Sequence, residues 1–227
     1  MKKDYCTLIL EGIKEGDQIG GPYKLAKIFS KSLKLNNGFN EDDLRRRYLD
    51  WWASDAFDTG PTYASVFNKI QKGMDAKLAV KKVHEEFGFN TSGCGPVHRA
   101  TPLAGKFTIP TDQLISIARK EAKITHFDED AGNGSAIVIM ICRYLLEGRS
   151  FKDAEILVSN NESLKASWTK LQNAKLRPDG YVYNVIFSAF HFIKENKSLE
   201  EAVKFSGKAN YCAVIVGAII KCLNKIN

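Results

Sequence analysis

The stretch EDAGNGSAIVIMICRYLL, from Glu129 to Leu146, is the strongest indication of the fold in this chain. Acidic residues stand at its start, where they complement the dipole of a helix, and Gly148 follows its end as a stop signal. The run 136–142 within it is entirely apolar. A helix that is apolar on all sides must be covered by other elements, so the stretch predicts a central buried helix.

Segments on both sides of this stretch also have the helical pattern, in which apolar residues recur every three or four positions. One of them, NEDDLRRRYLDWW, begins with a capping Asn40 and several acids, which is a helix start signal. The predicted helices span 6–15, 23–35, 62–72, 75–87, 129–146, 151–158, 162–171, 182–193, 199–205 and 211–223, and two more begin at Asn40 and Thr111. No segment alternates with the period of two that is typical of a strand, and no linker divides the chain. We therefore expect one all-α domain over residues 1–227, with about ten helices.

The composition is that of an ordinary globular protein. Of the 227 residues, 44% are hydrophobic and 26% are charged, and no apolar run is long enough to span a bilayer. The N-terminus lacks the small-residue cleavage pattern of a signal peptide. We therefore expect a cytoplasmic protein with no membrane partner.

The formal net charge of +7 suits an anionic partner without identifying one. Lys and Arg are scattered along the chain, and the run RRR at 45–47 lies in a predicted helix, where a solvated face is the common outcome. A nucleic-acid-binding function would rest on this charge alone, so we do not expect a nucleic-acid partner.

The cysteine pattern indicates neither a disulfide framework nor a zinc site. The five cysteines, none of which form a C-x-x-C pair, are Cys6, Cys94, Cys142, Cys212 and Cys222. The last three lie in apolar helical segments, where a buried thiol acts as a small hydrophobe.

Four polar loops join the predicted helices and are more distinctive than the helices themselves. They are GDQIGGP at 16–22, DAFDTGPT at 55–62, SGCGPVHRATPLA at 92–104 and ITHFDEDAG at 124–132. Their glycines allow close approach of the backbone to a ligand, and the helix that follows such a loop favours phosphate at its N-terminus. The third loop is too rich in glycine for a helix interior or a strand. We expect the four loops to form the rim of one pocket.

In this order, the loop motifs resemble those of the ADP-ribosylglycohydrolase family. The matching residues are Gly16, Asp17, Gly20 and Pro22; Trp52, Asp58, Gly60 and Thr62; Gly93, Gly95, Arg99, Pro102 and Leu103; and Thr125 with His126. The C-terminal helices, which end in AVIVGA, are also similar to those of the family. The resemblance implies an all-α orthogonal helical bundle that binds ADP-ribose and usually cleaves its link to a protein side chain or a small acceptor.

The chain departs from the family at the metal ligands. Members of the family hold two divalent metals with a T-D-D-T element and a D-x-D-T element, and in this chain Pro22 runs directly into YKLAKIFSKSL without the first. Lys208, Asn210 and Tyr211 stand where the second would be. Hard cations need carboxylate oxygens, so we expect no Mg²⁺ or other metal cofactor. The ammonium of Lys208 would repel a cation from this place. Its own positive charge could substitute in part for that of the missing metal.

The resemblance also proposes catalytic residues. Cleavage at the ribose passes through an oxocarbenium-like state, which a nearby carboxylate stabilises. Asp58 is the first candidate, because the family's D-x-G aspartate lies near the substrate ribose. Asp17 is the second, with a loop-bracketing role as the open alternative. His126 either contacts a phosphate or the ribose, or tethers two helices.

The remaining candidates are ligand-binding residues: Gly20, Gly21, Thr59, Gly60, Gly93, Cys94, Gly95, His98, Arg99 and His126. The glycines at 93 and 95 are interpreted as backbone whose N–H groups contact a diphosphate. Arg99 either meets phosphate or braces its loop. A nucleophilic pair of Cys94 and His98 is disfavoured, because the family uses no such thiol.

Two functions follow from these residues. The first is a metal-independent hydrolase that acts on ADP-ribosylated proteins, nucleotides or small acceptors. The alternative is a non-catalytic ADP-ribose-binding protein that has kept the fold and lost the metals.

Overall fold

The computed structural model describes residues 4–207, 209 and 211–225, and the regular secondary structure of this part of the chain is helical. Its α-helices are α1 (Cys6–Gly16), α2 (Gly21–Leu35), α3 (Glu41–Asp55), α4 (Pro61–Gln71), α5 (Ala76–Glu86), α6 (Gly95–Ala100), α7 (Leu114–Ala122), α8 (Glu129–Leu146), α9 (Phe151–Ser159), α10 (Lys165–Gln172), α11 (Val182–Lys194), α12 (Leu199–Ser206) and α13 (Tyr211–Leu223). Short 3-10 helices cover Thr101–Gly105 and Thr111–Gln113. Extended pairing in these residues is limited to two isolated bridges, so the all-α prediction is confirmed.

Helix α8 is the centre of the fold, and its observed bounds are the predicted ones. Its side chains from Ala136 to Cys142 are almost fully buried. The helices α6, α7, α9, α11 and α13 all pack against it. An apolar helix without a polar face is stable in water only when it is enclosed in this way.

The first and last helices, α1 and α13, approach each other at the level of their backbones. A Cβ added to Gly217 would lie 2.1 Å from the carbonyl oxygen of Gly12, and one added to Gly16 would lie 2.2 Å from that of Ala213. Atoms at such distances overlap, so only glycine fits at these positions. The contact joins the two ends of the described chain on one side of α8.

The structure corrects one expectation about the loops. The third loop was expected to be non-helical, yet α6 forms within it at Gly95–Ala100. Its proline, Pro96, lies in the first turn of the helix. Backbone N–H groups in a first turn make no intrahelical hydrogen bond, so the absence of an N–H in proline costs nothing there. The helix expected to begin at Thr111 starts with a 3-10 turn and becomes α-helical at Leu114. No helix in the described residues is both long and apolar enough to cross a membrane.

The α1–α13 contact predicts that one methyl group added at Gly217 strongly destabilises the fold. We expect Gly217→Ala to lower the free energy of unfolding by about 3 kcal/mol, because the added Cβ must push two backbones apart. Urea denaturation monitored by circular dichroism measures this change. Gly38→Ala is the matched control, because a Cβ there meets nothing closer than 4.0 Å, and its effect should stay within about 0.5 kcal/mol. Equal stabilities of the two variants would contradict the backbone contact.

Candidate active site

A cavity of about 380 Å³ lies where loops from distant parts of the chain meet. Its size falls within the range of small-molecule sites, and we call it the candidate cavity. It is lined by Pro22, Leu25, Asp58, Thr59, Gly60, Pro61, Thr62, Tyr63, Gly93, Cys94, Gly95, His98, His126, Gly180, Ala209 and Tyr211. All four predicted loops therefore reach this cavity, the first of them through Pro22 alone. Sequence reasoning missed Gly180, which begins the C-terminal segment that resembles the family but was not among the predicted site residues.

The first loop contributes Pro22 to the cavity lining, and its other residues support the cavity from outside. Asp17 accepts hydrogen bonds from the backbone N–H groups of Gly20 and Tyr23, each at 2.7 Å, and of Ile19 at 3.1 Å. One carboxylate oxygen thus bonds the loop just before α2 and the other bonds its first turn, as in the bracketing alternative. Neither Asp17 nor Gly20 lines the cavity. The N-terminus of α2 is consequently occupied by a carboxylate and is a poor place for a phosphate.

Gly21 places the start of α2 against the second loop. A Cβ on Gly21 would lie 2.3 Å from the carbonyl oxygen of Asp58 and 2.8 Å from its Cβ. The close approach positions Asp58, whose φ of 49° is a left-handed conformation that aspartate tolerates better than most residues. Asp58 is the one Asp or Glu among the cavity-lining residues that the structure describes.

The N-terminus of α4 faces the cavity without a capping side chain. The cap residue is Gly60, with a φ of 76°, and the first helical residue is Pro61, which has no N–H. Within the described chain, the N–H groups of Thr62 and Tyr63 and the hydroxyl of Thr62 have no hydrogen-bond partner. The side chain of Thr62 is only 8% exposed. This terminus therefore offers donors and the positive end of a helix dipole to the cavity.

Gly93 and Gly95 make room for a histidine ring. A Cβ on Gly93 would lie 3.2 Å from His126 Nε2, and one on Gly95 would lie 3.3 Å from His126 Cε1. The N–H of Cys94, between them, donates to the carbonyl of Gly180 at 3.0 Å. The expected run of N–H groups for a diphosphate is thus interrupted, and the glycines are explained by the imidazole that they flank.

His98 and Cys94 line the cavity as neutral groups. His98 Nε2 lies 2.7 Å from the carbonyl oxygen of Tyr211, which can only accept, so this nitrogen donates. Burial lowers the pKa of His98 to about 4. Burial also raises the pKa of the Cys94 thiol to about 12. A thiol that stays protonated, without a hydrogen bond to His98 in the described structure, gives no support to a nucleophilic pair.

Arg99 is not among the residues that line the cavity. Of its two predicted roles, contact with a phosphate and bracing of its loop, the structure therefore favours bracing. Its guanidinium is 1% exposed and donates to Glu121 Oε1 at 2.5 Å and to Thr125 Oγ1 at 2.8 Å. The ring centroids of Tyr48 and Tyr63 lie 5.4 and 5.9 Å, respectively, from Cζ of the Arg99 guanidinium. Tyr48 also donates to Glu121 Oε1. Arg99 thereby connects α3, α4, α6 and α7 beneath the cavity.

Trp51 and Trp52 pack in and against the hydrophobic core. Trp51 is buried and packs edge-on against Phe57 and Tyr63, and Trp52 is tilted against the ring of Tyr63. Neither lines the cavity, whereas the candidate Thr59 does.

The donor set does not fit the metal pair that the family resemblance implies. The described residues contain no group of three or more His, Cys, Asp and Glu side chains that could share a metal ion. Asp58 is the single described carboxylate in the cavity lining, and hard cations need several oxygen ligands. Lys208 and Asn210 lie outside the described residues, whereas Tyr211 lines the cavity.

Comparison with known proteins supports the family resemblance that the loop motifs indicate. A sequence model of the ADP-ribosylglycohydrolase family matches residues 23–223, so the chain belongs to this family. A solved structure described as an "ADP-ribosylglycohydrolase-related protein complex" aligns with a TM-score of 0.72 and 18% sequence identity, over 97% of this chain and 87% of that one. At this identity the likeness shows a shared fold. No curated protein matches the chain in sequence.

The buried ion pair predicts a strong stability effect. Glu121→Gln leaves the charge of Arg99 buried without a counter-ion, and we expect the free energy of unfolding to fall by about 3–5 kcal/mol. Urea denaturation gives the measurement. Glu11→Gln, at an exposed position of α1, is the control and should change stability by less than about 0.5 kcal/mol. A loss below about 1 kcal/mol in Glu121→Gln would show that the pair does not brace the site.

The raised pKa of Cys94 predicts slow alkylation. At pH 8 a thiol with a pKa of about 12 is almost entirely protonated, so iodoacetamide should label it about a thousand-fold more slowly than in the urea-unfolded chain. Mass spectrometry of timed digests measures the rate. The rate should rise roughly ten-fold per pH unit up to the pH at which the fold is lost. Labelling at neutral pH as fast as in the unfolded chain would reopen the nucleophile hypothesis.

Proposed function

We propose that the candidate cavity binds the ADP-ribose group of an ADP-ribosylated protein, nucleotide or small acceptor. We further propose that the protein hydrolyses the glycosidic bond to that acceptor without the family's usual pair of metals. The observation that carries the proposal is the meeting of four separate motif loops around one cavity, which they reach at Pro22, 58–62, 93–95 and His126. The chain also belongs to a family that is named for this reaction.

The diphosphate is proposed to lie at the N-terminus of α4. The unpaired N–H groups of Thr62 and Tyr63 and the buried hydroxyl of Thr62 are suitable donors to phosphate oxygens. The described lining contains no Lys or Arg, so the helix dipole supplies the attraction there. The α2 terminus is not available for this role, because Asp17 already occupies it.

Asp58 is proposed to act on the ribose. Hydrolysis breaks the bond between the anomeric carbon and the acceptor, adds hydroxide to that carbon and returns a proton to the acceptor. A carboxylate at the cavity can stabilise the positive charge that develops on the ribose, or take a proton from the attacking water. Asp17, the second candidate, would serve by holding the first loop against Asp58 through the close approach of Gly21.

A non-catalytic ADP-ribose binder is the second candidate function. The observation that favours it is the single described carboxylate in the lining, because glycosidases ordinarily use a pair of carboxyl groups. The binder would use the same loops and the same α4 terminus.

We also propose that the protein acts as one domain in the cytoplasm. A single large core cluster extends from residues of α1 to residues of α13. All five cysteines are free thiols, which is typical of a reducing compartment.

Binding of ADP-ribose should be visible as thermal stabilisation that does not need a metal. At a free concentration of 100 times the dissociation constant, ADP-ribose should add about 2.7 kcal/mol to the stability of the folded state. We expect the same shift in melting temperature in EDTA and in Mg²⁺, measured by scanning fluorimetry, with adenosine as a control that lacks the diphosphate. A shift that disappears in EDTA would contradict metal-independence, and no shift in either condition would contradict both functions.

Release of ADP-ribose separates the enzyme from the binder. We expect release from at least one of arginine-, serine- or small-molecule-linked ADP-ribose, and a loss of at least about 100-fold in Asp58→Asn, because the carboxylate is removed. Chromatography of the released nucleotide measures the rate. Asp50→Asn, at an exposed position of α3, is the matched control and should keep the wild-type rate. Binding without release from any of these substrates would favour the binder.

A further inference from the structure

A chain of hydrogen bonds leads from the buried core to His126 at the candidate cavity. Arg99 donates through Nε to Glu121 Oε1 at 2.5 Å and through Nη2 to Thr125 Oγ1 at 2.8 Å. Thr125 Oγ1 in turn lies 2.7 Å from His126 Nδ1. The side chains of Arg99, Glu121 and Thr125 are all within 1% of full burial, so bulk water does not compete for these bonds.

The direction of each bond follows from the donors available. A guanidinium has no acceptor, so Thr125 Oγ1 accepts from Arg99. Among the described residues, the acceptor within reach of the Thr125 hydroxyl proton is His126 Nδ1. The reverse arrangement, in which Nδ1 donates, would leave that hydroxyl proton without an acceptor in a fully buried place, which is costly. His126 Nδ1 is therefore the acceptor, and the ring proton lies on Nε2.

The Nε2 edge of the same ring faces the cavity. It lies between Gly93 and Gly95, where added Cβ atoms would approach it at 3.2 and 3.6 Å. His126 lines the cavity, and its Nε2 makes no hydrogen bond to any residue that the structure describes. A donor that faces the cavity without a partner in the described chain is available to an acceptor from outside the chain, which is either water or a ligand.

We propose that Arg99 and Thr125 are positioning residues that fix His126 as the neutral tautomer with its proton on Nε2, and that this N–H is a hydrogen-bond donor to the ligand. The identity of the ligand rests on the proposed function, whereas the tautomer does not. Burial and the positive charge of Arg99 hold the pKa of His126 well below its ordinary value, which agrees with a neutral ring.

The tautomer decides what His126 can do. A protonated Nε2 cannot take a proton from water, so His126 is a donor and not a general base. The atoms it can contact are acceptors such as a ribose hydroxyl oxygen, a ribose ring oxygen or a phosphate oxygen. This leaves proton abstraction in the cavity to a carboxylate.

Nitrogen NMR of the free protein tests the tautomer directly. Long-range ¹H–¹⁵N correlation spectra of histidine-labelled protein distinguish protonated Nε2 from protonated Nδ1, and His126→Gln identifies the signals of His126. We expect protonated Nε2 in the wild type and in Thr125→Ser, and mixed tautomers in Thr125→Val, which removes the hydroxyl at nearly constant volume. Protonated Nδ1 in the wild type, or an unchanged pattern in Thr125→Val, would overturn the proposal. Should Thr125→Val fail to fold, the wild-type spectrum alone decides.

Ligand affinity tests the role of the fixed donor. We expect Thr125→Val to bind ADP-ribose about five- to ten-fold more weakly than the wild type, the effect of one lost hydrogen bond, and Thr125→Ser to restore the affinity. Calorimetric titration measures both variants. A wild type that binds no ADP-ribose contradicts the proposed function and leaves the tautomer result intact. Equal affinity in wild type and Thr125→Val would contradict the positioning role.

Discussion

The buried ion pair between Arg99 and Glu121 is the constraint on which the candidate site depends. A guanidinium out of contact with water is tolerated only when its charge and its donors are matched. Here the partners are a carboxylate, a threonine hydroxyl and two tyrosine rings. They come from α3, α4, α7 and the segment before α8, so one side chain sets the relative positions of four elements. One of these partners, Tyr63, also lines the cavity.

Much of the fold can be read from the sequence because it is encoded in local patterns. The bounds of α8 follow from acids at its start, a glycine after its end and an apolar run between them. The cap of α3 follows from Asn40, whose side chain accepts from the N–H of Asp43. Helix α6 does not follow, because glycine and proline are counted as breakers wherever they stand. In the structure its proline lies in the first turn, where no intrahelical hydrogen bond is lost.

The site is harder to predict because its chemistry depends on neighbours that are distant in sequence. Gly93 and Gly95 are visible as glycines, but the ring that needs the space belongs to His126. Asp17 is visible as an acid, but only the structure shows that backbone N–H groups at and just before the start of α2 use both of its oxygens. The order of the motifs predicted the family, and the four loops were expected to form the rim of one pocket, to which each contributes at least one lining residue. It could not predict which polar groups face the cavity.

The cavity has few charged groups and many oriented dipoles. Its described lining offers one carboxylate, two neutral imidazoles and the uncapped end of α4. Fixed donors in a place with little water are effective because they need no reorganisation when a ligand arrives. Such a site is built from backbone geometry, and its quality depends on how rigidly the surrounding helices are packed.

The contact between α1 and α13 has a consequence for biosynthesis. Almost the whole chain separates Gly12 from Gly217, so α1 leaves the ribosome long before its packing partner has been translated. Helix α13 also supplies Tyr211, which lines the cavity and whose carbonyl oxygen accepts a hydrogen bond from His98. Contacts between such distant residues form late, because a long loop must close first. The nascent polypeptide therefore carries an incomplete cavity until α13 has emerged from the exit tunnel.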